Sequence, residues 1–501
     1  MAETKKCPKC GEEMKKLDDV WRCSACGYEE SERVEVVRGW QTLWKTEDWW
    51  AVWMAFIVIG IAMVLYYTNN VPALKTLAVS APGKWTSWDQ VAAYYAKNWV
   101  GYIVNFVFWA VIFTISSAIL GFKPREFLPS FVFVYIMSVI IFLIATNKTV
   151  HNYNIEPPIL AVILGLILSN VIRFPKWMDA GFRVEYYIKT GIVLLGATLP
   201  FTLIYMAGPY VIAQAATVAI TAFVLAYLIG TGLGLDKRLA SVLGAGAAVC
   251  GVSASIAMAA AVRAKKEDYV LGIAAVIIMA IIAIFLIPLA AMSMNPPMHP
   301  GEAGAWIGTS EFADAAGFAA ADWYGSWYAE HVAETVSGAN AHELTLWAYT
   351  LMKVIGRDIW IGLWAFIMAV IATTRWEAAE TGERPSAMEI WWRFPKFVIG
   401  FLIASFIMTL VTLSVDSYTY FHVMKPNLIG PIKTMRTWTF IFTFFSIGMT
   451  TRFREFVKFG ARPWVTFFIV GAIVIILGYV LSHYVFGPIA WQRLPEWAPR
   501  V

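Results

Sequence analysis

The sequence predicts an all-α protein that crosses a membrane many times. Three observations support this class: 59% of the 501 residues are hydrophobic, only 15% are charged, and long apolar stretches recur along the chain. Soluble domains carry about 25% charged residues, and a helix needs roughly twenty apolar residues to cross the hydrocarbon. The 24 Trp and 21 Tyr residues suit interfacial belts. We therefore expect an integral membrane protein with the lipid bilayer as its first partner.

The polar N-terminus contains a motif typical of zinc. Cys7 and Cys10 form one Cys-x-x-Cys pair, and Cys23 and Cys26 form a second. Two such pairs, each followed by glycine, suit tetrahedral thiolate coordination. The pattern predicts a zinc ribbon with structural Zn²⁺ as the cofactor, and iron is the alternative metal. Because free thiols need a reducing compartment and no cleavable signal peptide opens the chain, we place this end in the cytoplasm.

Apolar segments divide the rest of the chain into domains. These are a zinc-ribbon module at 1–30, a linker at 31–48, additional N-terminal transmembrane helices at 49–120, a connecting transmembrane helix at 121–156, transporter repeat 1 at 157–292, transporter repeat 2 at 293–486 and a C-terminal tail at 487–501. In each repeat a short glycine-bearing segment precedes a long span: Leu243–Ala261 in the first and Thr437–Thr451 in the second. Matching short segments are typical of inverted-repeat transporters, in which broken helices form the substrate site.

Basic residues flank the segment Leu243–Ala261 on both sides. They are Lys237, Arg238, Arg263, Lys265 and Lys266. Since cytoplasmic flanks are enriched in Lys and Arg, both ends are predicted to face the cytoplasm. Either the segment enters the membrane and returns on the same side, or it crosses and the charge rule fails there. Residues 267–352 contain no Lys or Arg, which places the loop at 293–343 outside.

Several motifs resemble the sulfate exporter family of conserved hypothetical bacterial and archaeal membrane proteins. They are Gly191–Leu199, Leu235–Lys237, the Gly-x-Gly-x-x-x-Cys-Gly-x-Ser-Ala core at Gly244–Ala254, Ile307–Ser310, Gly448–Thr451 and Gly460–Pro463. The resemblance covers Phe131 to about Val485. It implies two five-helix inverted repeats with crossed discontinuous helices, similar to the bile-acid symporter and cation/proton antiporter group. It also implies a transporter of sulfate or small organosulfonates in a prokaryotic inner membrane.

This chain departs from the family pattern at two places. Thr198 stands where members often carry Arg, and Phe312-Ala313 stands where they often carry a His-Glu pair. Glu311 and Asp314 lie nearby instead. The departures bear on the identity of the substrate and of the coupling ion.

Charged residues within apolar segments are the first site candidates. Lys353 and Arg357 are four apart and share a helix face, so they predict an anion site; the alternative is that both snorkel to the outer interface. Glu311 and Asp314, together with Asp358, are candidates for binding a coupling H⁺ or Na⁺; the alternative for the first two is a solvated outer loop. The full predicted substrate set is Gly246, Cys250, Gly251, Ser253, Ser255, Lys353, Arg357, Ser446 and Thr450.

We expect a secondary active transporter that exports a small inorganic or organic anion by alternating access. One alternative is a cation/proton antiporter, and another is a membrane sensor with the zinc ribbon as its output module. The sequence contains no HExxH, GxSxG or P-loop motif, so no enzyme is expected. A net charge of +5 without basic, aromatic-rich stretches predicts no nucleic-acid partner. A second copy of the chain in a homodimer is an expected partner.

Overall fold

A computed structural model describes residues 5–6, 13–17, 20–23, 29–31, 39–151, 157–199, 201–262, 264, 266–376, 388–453 and 460–497. Its N-terminal part is an antiparallel sheet of strands β1 (Lys5–Lys6), β2 (Glu13–Leu17), β3 (Val20–Cys23) and β4 (Glu29–Ser31) in that order. Leu17 pairs with Val20, and Met14 pairs with both Lys5 and Cys23. The predicted metal site at Cys7, Cys10, Cys23 and Cys26 lies outside the described residues and side chains, so zinc binding stays a prediction.

Helices form nearly all of the remaining described chain. The first nine are α1 (Thr42–Lys45), α2 (Glu47–Tyr67), α3 (Val71–Leu77), α4 (Trp88–Ile119), α5 (Pro124–Ala145), α6 (Lys148–His151), α7 (Pro157–Val171), α8 (Val184–Gly196) and α9 (Phe201–Gly232). They are followed by α10 (Lys237–Ala248), α11 (Val252–Ala261), α12 (Lys266–Ser293), α13 (Pro300–Ser310), α14 (Asp314–His331), α15 (Ala341–Thr350), α16 (Trp360–Ile371), α17 (Met388–Arg393), α18 (Lys396–Leu413), α19 (Ser417–Thr419), α20 (Gly430–Thr450) and α21 (Ala461–Val480).

Short irregular elements complete the described chain. Strands β5 (Thr335–Val336) and β6 (Ala339–Asn340) form a small hairpin between α14 and α15. The π-helical segments are Leu351–Arg357, Ala372–Trp376, Tyr420–Ile429, Leu481–Val485 and Gly487–Trp491. The 3-10 turns are Gly39–Gln41, Lys176–Gly181 and Leu494–Trp497.

Among the described residues, seven helices are long and apolar enough to cross a membrane. They are Glu47–Tyr67, Trp88–Ile119, Pro124–Ala145, Ile204–Gly232, Leu271–Ser293, Lys396–Leu413 and Ala461–Val485. This confirms the prediction of an all-helical membrane protein that crosses the bilayer several times.

The additional N-terminal helices pack directly against later helices. Trp438 on α20 donates an indole hydrogen bond of 2.8 Å to the carbonyl oxygen of Val79, which follows α3. The carboxylate of Asp48, at the start of α2, accepts a hydrogen bond of 2.8 Å from Lys189 Nζ on α8. It accepts another of 3.0 Å from the backbone N–H of Lys396 on α18. These helices are therefore packed as part of the same helical body.

The small-residue segment Leu243–Ala261 is discontinuous and folds back on itself. Helix α10 ends at Ala248, and α11 begins at Val252 after Gly251, whose φ is +75°. A Cβ atom placed on Gly246 of α10 would lie 2.8 Å from Ser255 Oγ of α11. On α12, a Cβ on Gly272 would lie 2.6 Å from Val242 of α10 and 3.4 Å from Ser255 of α11, whereas Val276 approaches both Gly246 and Gly251. The two arms therefore run antiparallel along the same helix. Of the two alternatives left by the flanking basic residues, the structure therefore supports the re-entrant one, and we call α10 and α11 hairpin 1.

A second helical hairpin is formed by α13 and α14, which are separated by Glu311–Ala313. A Cβ on Gly308 of α13 would lie 2.8 Å from the carbonyl oxygen of Tyr349, and one on Gly317 of α14 would lie 2.5 Å from the ring of the same tyrosine. Both arms therefore pack against α15 at the same residue, Tyr349. We call α13 and α14 hairpin 2. The chain of α12 leads from the base of hairpin 1 to the base of hairpin 2, so their bases lie at opposite ends of this helix.

The structure corrects the predicted position of the second discontinuity. Thr437–Thr451 was expected to be broken, but residues up to Thr450 belong to the uninterrupted helix α20. Gly448 there serves close packing: a Cβ on it would lie 2.5 Å from the carbonyl oxygen of Val162 on α7. The discontinuous elements are helical hairpins rather than crossed helices, and the inverted repeats remain a prediction.

Candidate functional site

The tips of the two hairpins meet inside the protein. The tip of hairpin 1 is Val249–Gly251, and the tip of hairpin 2 is Glu311–Ala313. A Cβ on Gly251 would lie 2.4 Å from the carbonyl oxygen of Phe312, so only glycine permits this approach of the two backbones. Backbone that leaves a helix at membrane depth needs hydrogen-bond partners from elsewhere in the protein.

Lys353 supplies one set of partners. It lies in the π-helical segment Leu351–Arg357, and its Nζ donates hydrogen bonds of 2.8 Å to the carbonyl oxygens of Val249 and Glu311. One ammonium group thus connects the tips of both hairpins. The charge lies at the carboxyl ends of α10 and α13, where the helix dipole favours a cation.

Arg357 binds the same two helix ends. Its Nε donates a hydrogen bond of 3.1 Å to the carbonyl oxygen of Ala248, and its Nη2 donates one of 2.6 Å to the carbonyl oxygen of Ala247. Its Nη1 donates hydrogen bonds of 2.7 Å and 2.9 Å to the backbone carbonyl oxygens of Thr309 and Glu311, respectively. The planar guanidinium therefore satisfies carbonyls from both hairpins at once.

These contacts change the interpretation of the basic pair. Lys353 and Arg357 are both 0% exposed, so the snorkelling alternative is wrong. The anion-binding interpretation is not supported either, because the hydrogen bonds of both side chains go to backbone carbonyls. The pair holds the two hairpin tips in place.

Acidic side chains surround these cations. Glu311 and Asp358 are 0% exposed and Asp314 is 3% exposed, which excludes the solvated-loop alternative for Glu311 and Asp314. Asp314 Oδ1 lies 3.7 Å from Lys353 Nζ. Ligand atoms of Cys250, Asp314 and Asp358 all lie within 4.8 Å of one another. The predicted coupling residues are therefore brought together at the hairpin tips.

A cavity of about 290 Å³ adjoins the tips. Val252 lines it at the start of α11, as do Ala315 and Ala316 in the first turn of α14, and Thr450 and Thr451 at the end of α20. Much of the remaining wall is apolar and includes Phe182, Ile273, Ile277 and Ile281. Glu47, Arg183 and Glu185 also line the cavity, and Arg183 forms an ion pair with Glu47.

The two return helices direct their amino ends towards this cavity. The residue before α11 is Gly251 and the residue before α14 is Ala313, and neither has a polar side chain that can cap the first-turn N–H groups. Uncapped amides and the positive end of the helix dipole favour an anion. The small side chains of Ala315 and Ala316 leave room for a ligand to approach. The arrangement can bind a small anion with an apolar portion against the aliphatic wall.

The other predicted substrate residues have different environments. Thr450 lines the cavity, and Cys250 and Gly251 form the tip of hairpin 1. Gly246 and Ser255 pack within hairpin 1, and Ser446 is fully buried. The side chain of Ser253 lies outside the described part of the chain.

Sequence reasoning missed two features of the protein. The first is that Val252, Ala315 and Ala316 line the cavity, because their side chains carry no chemical signal. The second is Arg436 of α20, outside the cavity, which is 1% exposed and donates a hydrogen bond of 2.9 Å to Thr198 Oγ1. A buried cation thus lies at Thr198, although it comes from a different helix. Its position directly before the apolar segment Thr437–Thr451 was the available signal.

Replacing Gly251 with alanine should separate the hairpin tips. Gly251 and Gly121 both have positive φ, but a Cβ on Gly121 would meet nothing within 4 Å. Gly121→Ala should therefore cost only the backbone strain of about 1–2 kcal/mol, while Gly251→Ala should cost more because it also forces Phe312 away. Thermal unfolding in detergent measures both, and equal losses of stability would contradict the close contact at the tips.

Comparisons with known proteins place the chain among membrane proteins. Residues 129–467 match a family model described as Conserved hypothetical protein 698. A UPF0324 membrane protein of Rhodopirellula baltica is 31% identical over 419 residues, covering 81% of this chain and 72% of that protein. Another of Nitratidesulfovibrio vulgaris is 31% identical over 385 residues, covering 76% of this chain but only 63% of the relative. UPF0324 inner membrane protein YeiH of Escherichia coli is 25% identical, covering 66% and 86% respectively.

Proposed function

The chain belongs to the Conserved hypothetical protein 698 family of membrane proteins, and on this premise we propose that it is a secondary active transporter that exports a small anion. The substrate class we propose is sulfate or an organosulfonate. The observation that carries the proposal is the pair of uncapped helix amino ends, at the starts of α11 and α14, which line one cavity beside the hairpin tips. Broken helices of this kind recognise anionic groups in other transporters.

The lining of the cavity favours an organic anion. Phe182, Ile273 and Ile277 offer apolar surface, whereas the amino ends of α11 and α14 offer N–H donors on the part of the wall next to the hairpin tips. A sulfonate with a short carbon chain matches both features, because its oxygens accept hydrogen bonds and its carbon atoms are buried from water. Inorganic sulfate would leave the aliphatic wall without a partner.

The two ends of the protein differ in a way that suits alternating access. Arg183 and Glu47 at the cavity lie near Asp48 and Lys189, on the side that the charge pattern predicts to be cytoplasmic. Towards the opposite end, Glu343 pairs with Lys433 at 2.6 Å and with Arg436 at 3.3 Å. We infer that the cavity loads from the cytoplasm and that these ion pairs must open for release.

A cation/proton antiporter is the second candidate. It is favoured by the buried group of Cys250, Asp314 and Asp358. Proteoliposomes separate the two functions, because a ΔpH that Na⁺ dissipates without any anion dependence supports the antiporter. The sensor alternative, a non-enzymatic role, structural Zn²⁺ and a cytoplasmic N-terminus remain proposals as well.

Thr450 provides the test of anion transport. Thr450→Asp places a carboxylate in the cavity, so uptake of labelled sulfate or a taurine-like sulfonate into proteoliposomes should fall by more than about a hundredfold through like-charge repulsion. Thr450→Val keeps the shape and loses one hydroxyl, so it should cost less than about tenfold. Size-exclusion chromatography verifies that both variants are folded. If the wild-type protein moves neither anion, or both variants lose flux equally, the proposal fails.

A further inference from the structure

We propose that Asp314 and Asp358, beside Cys250 at the hairpin tips, form a binding site for one small monovalent cation, either H⁺ or Na⁺. The proposal is about binding, which can be measured without any anion. Only the role of this cation in driving transport rests on the proposed function.

The buried side chains of this cluster carry an unbalanced charge. Glu311, Asp314 and Asp358 are three buried carboxyl groups, whereas Lys353 and Arg357 are two buried cations. An uncompensated charge in a low-dielectric interior is strongly unfavourable. One added positive charge makes the cluster neutral, whereas a divalent ion would leave it positive. The balance therefore favours a monovalent cation.

The two aspartate carboxylates also lack hydrogen-bond donors in the described part of the chain. Both carboxylate oxygens of Asp358 and the Oδ1 atom of Asp314 have no hydrogen-bond partner among the described residues. Both side chains are nevertheless at least nine-tenths buried. The cations beside them donate to backbone carbonyls instead. A buried carboxylate in this condition needs a proton or a metal ion.

The distances between the side chains suit one small cation. The ligand atoms of Asp314, Asp358 and Cys250 lie within 4.8 Å of one another, and Asp314 is the first residue of α14 after the tip of hairpin 2. Hard cations such as Na⁺ take oxygen ligands, so the two carboxylates supply the ligands and the thiol is a neighbour. The site thus joins hairpin 2 to the residue after the π-helical segment, and its occupancy can affect how the tips pack.

Other titratable groups face the site from each element packed around it. They are Glu311 on hairpin 2, Cys250 on hairpin 1, Lys353 and Arg357 on the π-helical segment, Glu185 and Lys189 on α8, and Tyr349 on α15. Lys189 pairs with Glu185 at 3.3 Å and with Asp48 at 2.8 Å. The side chains of these two carboxylates are 24% and 23% exposed, so solvent screens their excess negative charge. Tyr349 donates 2.8 Å to the backbone oxygen of Asp314 and not to its carboxylate.

The test uses the full-length protein in detergent without any added anion substrate. Thermal unfolding is followed at constant ionic strength while NaCl replaces choline chloride, at pH 6 and at pH 8. If the site takes Na⁺, the wild-type Tm should rise in a saturable way at pH 8. If it takes H⁺, the wild-type Tm should rise from pH 8 to pH 6 in choline alone. In either case Asp358→Asn should lose at least roughly tenfold in apparent cation affinity or lose the response altogether.

A matched control is Asp89→Asn, which neutralises an exposed carboxylate on α4 and should keep the wild-type response. A second variant, Asp314→Asn, should behave like Asp358→Asn. The proposal is overturned if the wild type responds to neither cation, or if Asp358→Asn and Asp314→Asn respond as the wild type does. Because no anion is present, these outcomes are independent of whether the protein transports sulfate or a sulfonate.

Discussion

Arg357→Met should abolish or severely weaken the folded state. The substitution removes the donors to the carbonyl oxygens of Ala247, Ala248, Thr309 and Glu311, and it removes one of the two cations beside the buried carboxylates. Breaking a buried charged network from one side typically costs about 3–5 kcal/mol. Thermal unfolding in detergent, with size-exclusion chromatography as a test of aggregation, measures the loss.

Two further variants make this expectation specific. Arg357→Lys keeps the charge but not the planar fork, so its stability should lie between those of the wild type and Arg357→Met. Arg375→Met removes an exposed arginine from the next π-helical segment and should leave Tm nearly unchanged. Equal stability of Arg357→Met and Arg375→Met would contradict the role of Arg357 at the hairpin tips.

Asp358→Asn should uncouple anion movement from the cation gradient. Asp314 is the first residue of α14, whose amino end lines the proposed anion site, so its negative charge opposes anion binding. A bound H⁺ or Na⁺ removes part of this repulsion, and each ligand should therefore raise the affinity for the other by the same factor. Typical couplings of this kind correspond to roughly 5–150-fold in affinity.

Proteoliposomes and binding measurements test this coupling. In wild-type protein, the Kd of a labelled sulfonate should fall when Na⁺ is added or the pH is lowered. In inside-out proteoliposomes, a cation gradient directed into the lumen should drive sulfonate uptake, which corresponds to export from the cytoplasm. In Asp358→Asn the gradient should no longer drive uptake, whereas exchange of internal for external sulfonate should continue. If gradient-driven uptake persists in Asp358→Asn at the level of Asp89→Asn, Asp358 does not carry the coupling ion.

Composition alone was sufficient to predict a helical membrane protein, and the motif resemblance is confirmed at the level of the family. The discontinuity within Leu243–Ala261 was also predictable, because the glycines in this segment disfavour a continuous helix. The basic residues on both flanks reduced its path to two alternatives. One of these, the re-entrant hairpin, is present in the structure.

The second discontinuity was not predictable in the same way. Thr437–Thr451 has glycine and hydroxyl residues, but Gly448 serves the contact of α20 with α7, where Ser169 Oγ donates a hydrogen bond of 2.9 Å to its carbonyl oxygen. The hydroxyls of Thr443 and Thr450 donate to carbonyl oxygens of their own helix. The chain breaks instead at Glu311–Ala313, between helices whose local composition differs little. Hydropathy measures the transfer of a segment to lipid and carries no information on which backbone groups another helix will satisfy.

The sequence by itself determined the membrane class, the family, the discontinuity within Leu243–Ala261 and the acidic candidates beside it. The tertiary structure alone decided that this discontinuity is a re-entrant hairpin, where the second hairpin lies and what Lys353 and Arg357 contact. The physical reason is that an interrupted helix in a membrane protein needs partners for its freed carbonyls. Here those partners are supplied across the fold, since Lys353 binds the carbonyl of Val249 from 104 positions away and that of Glu311 from 42.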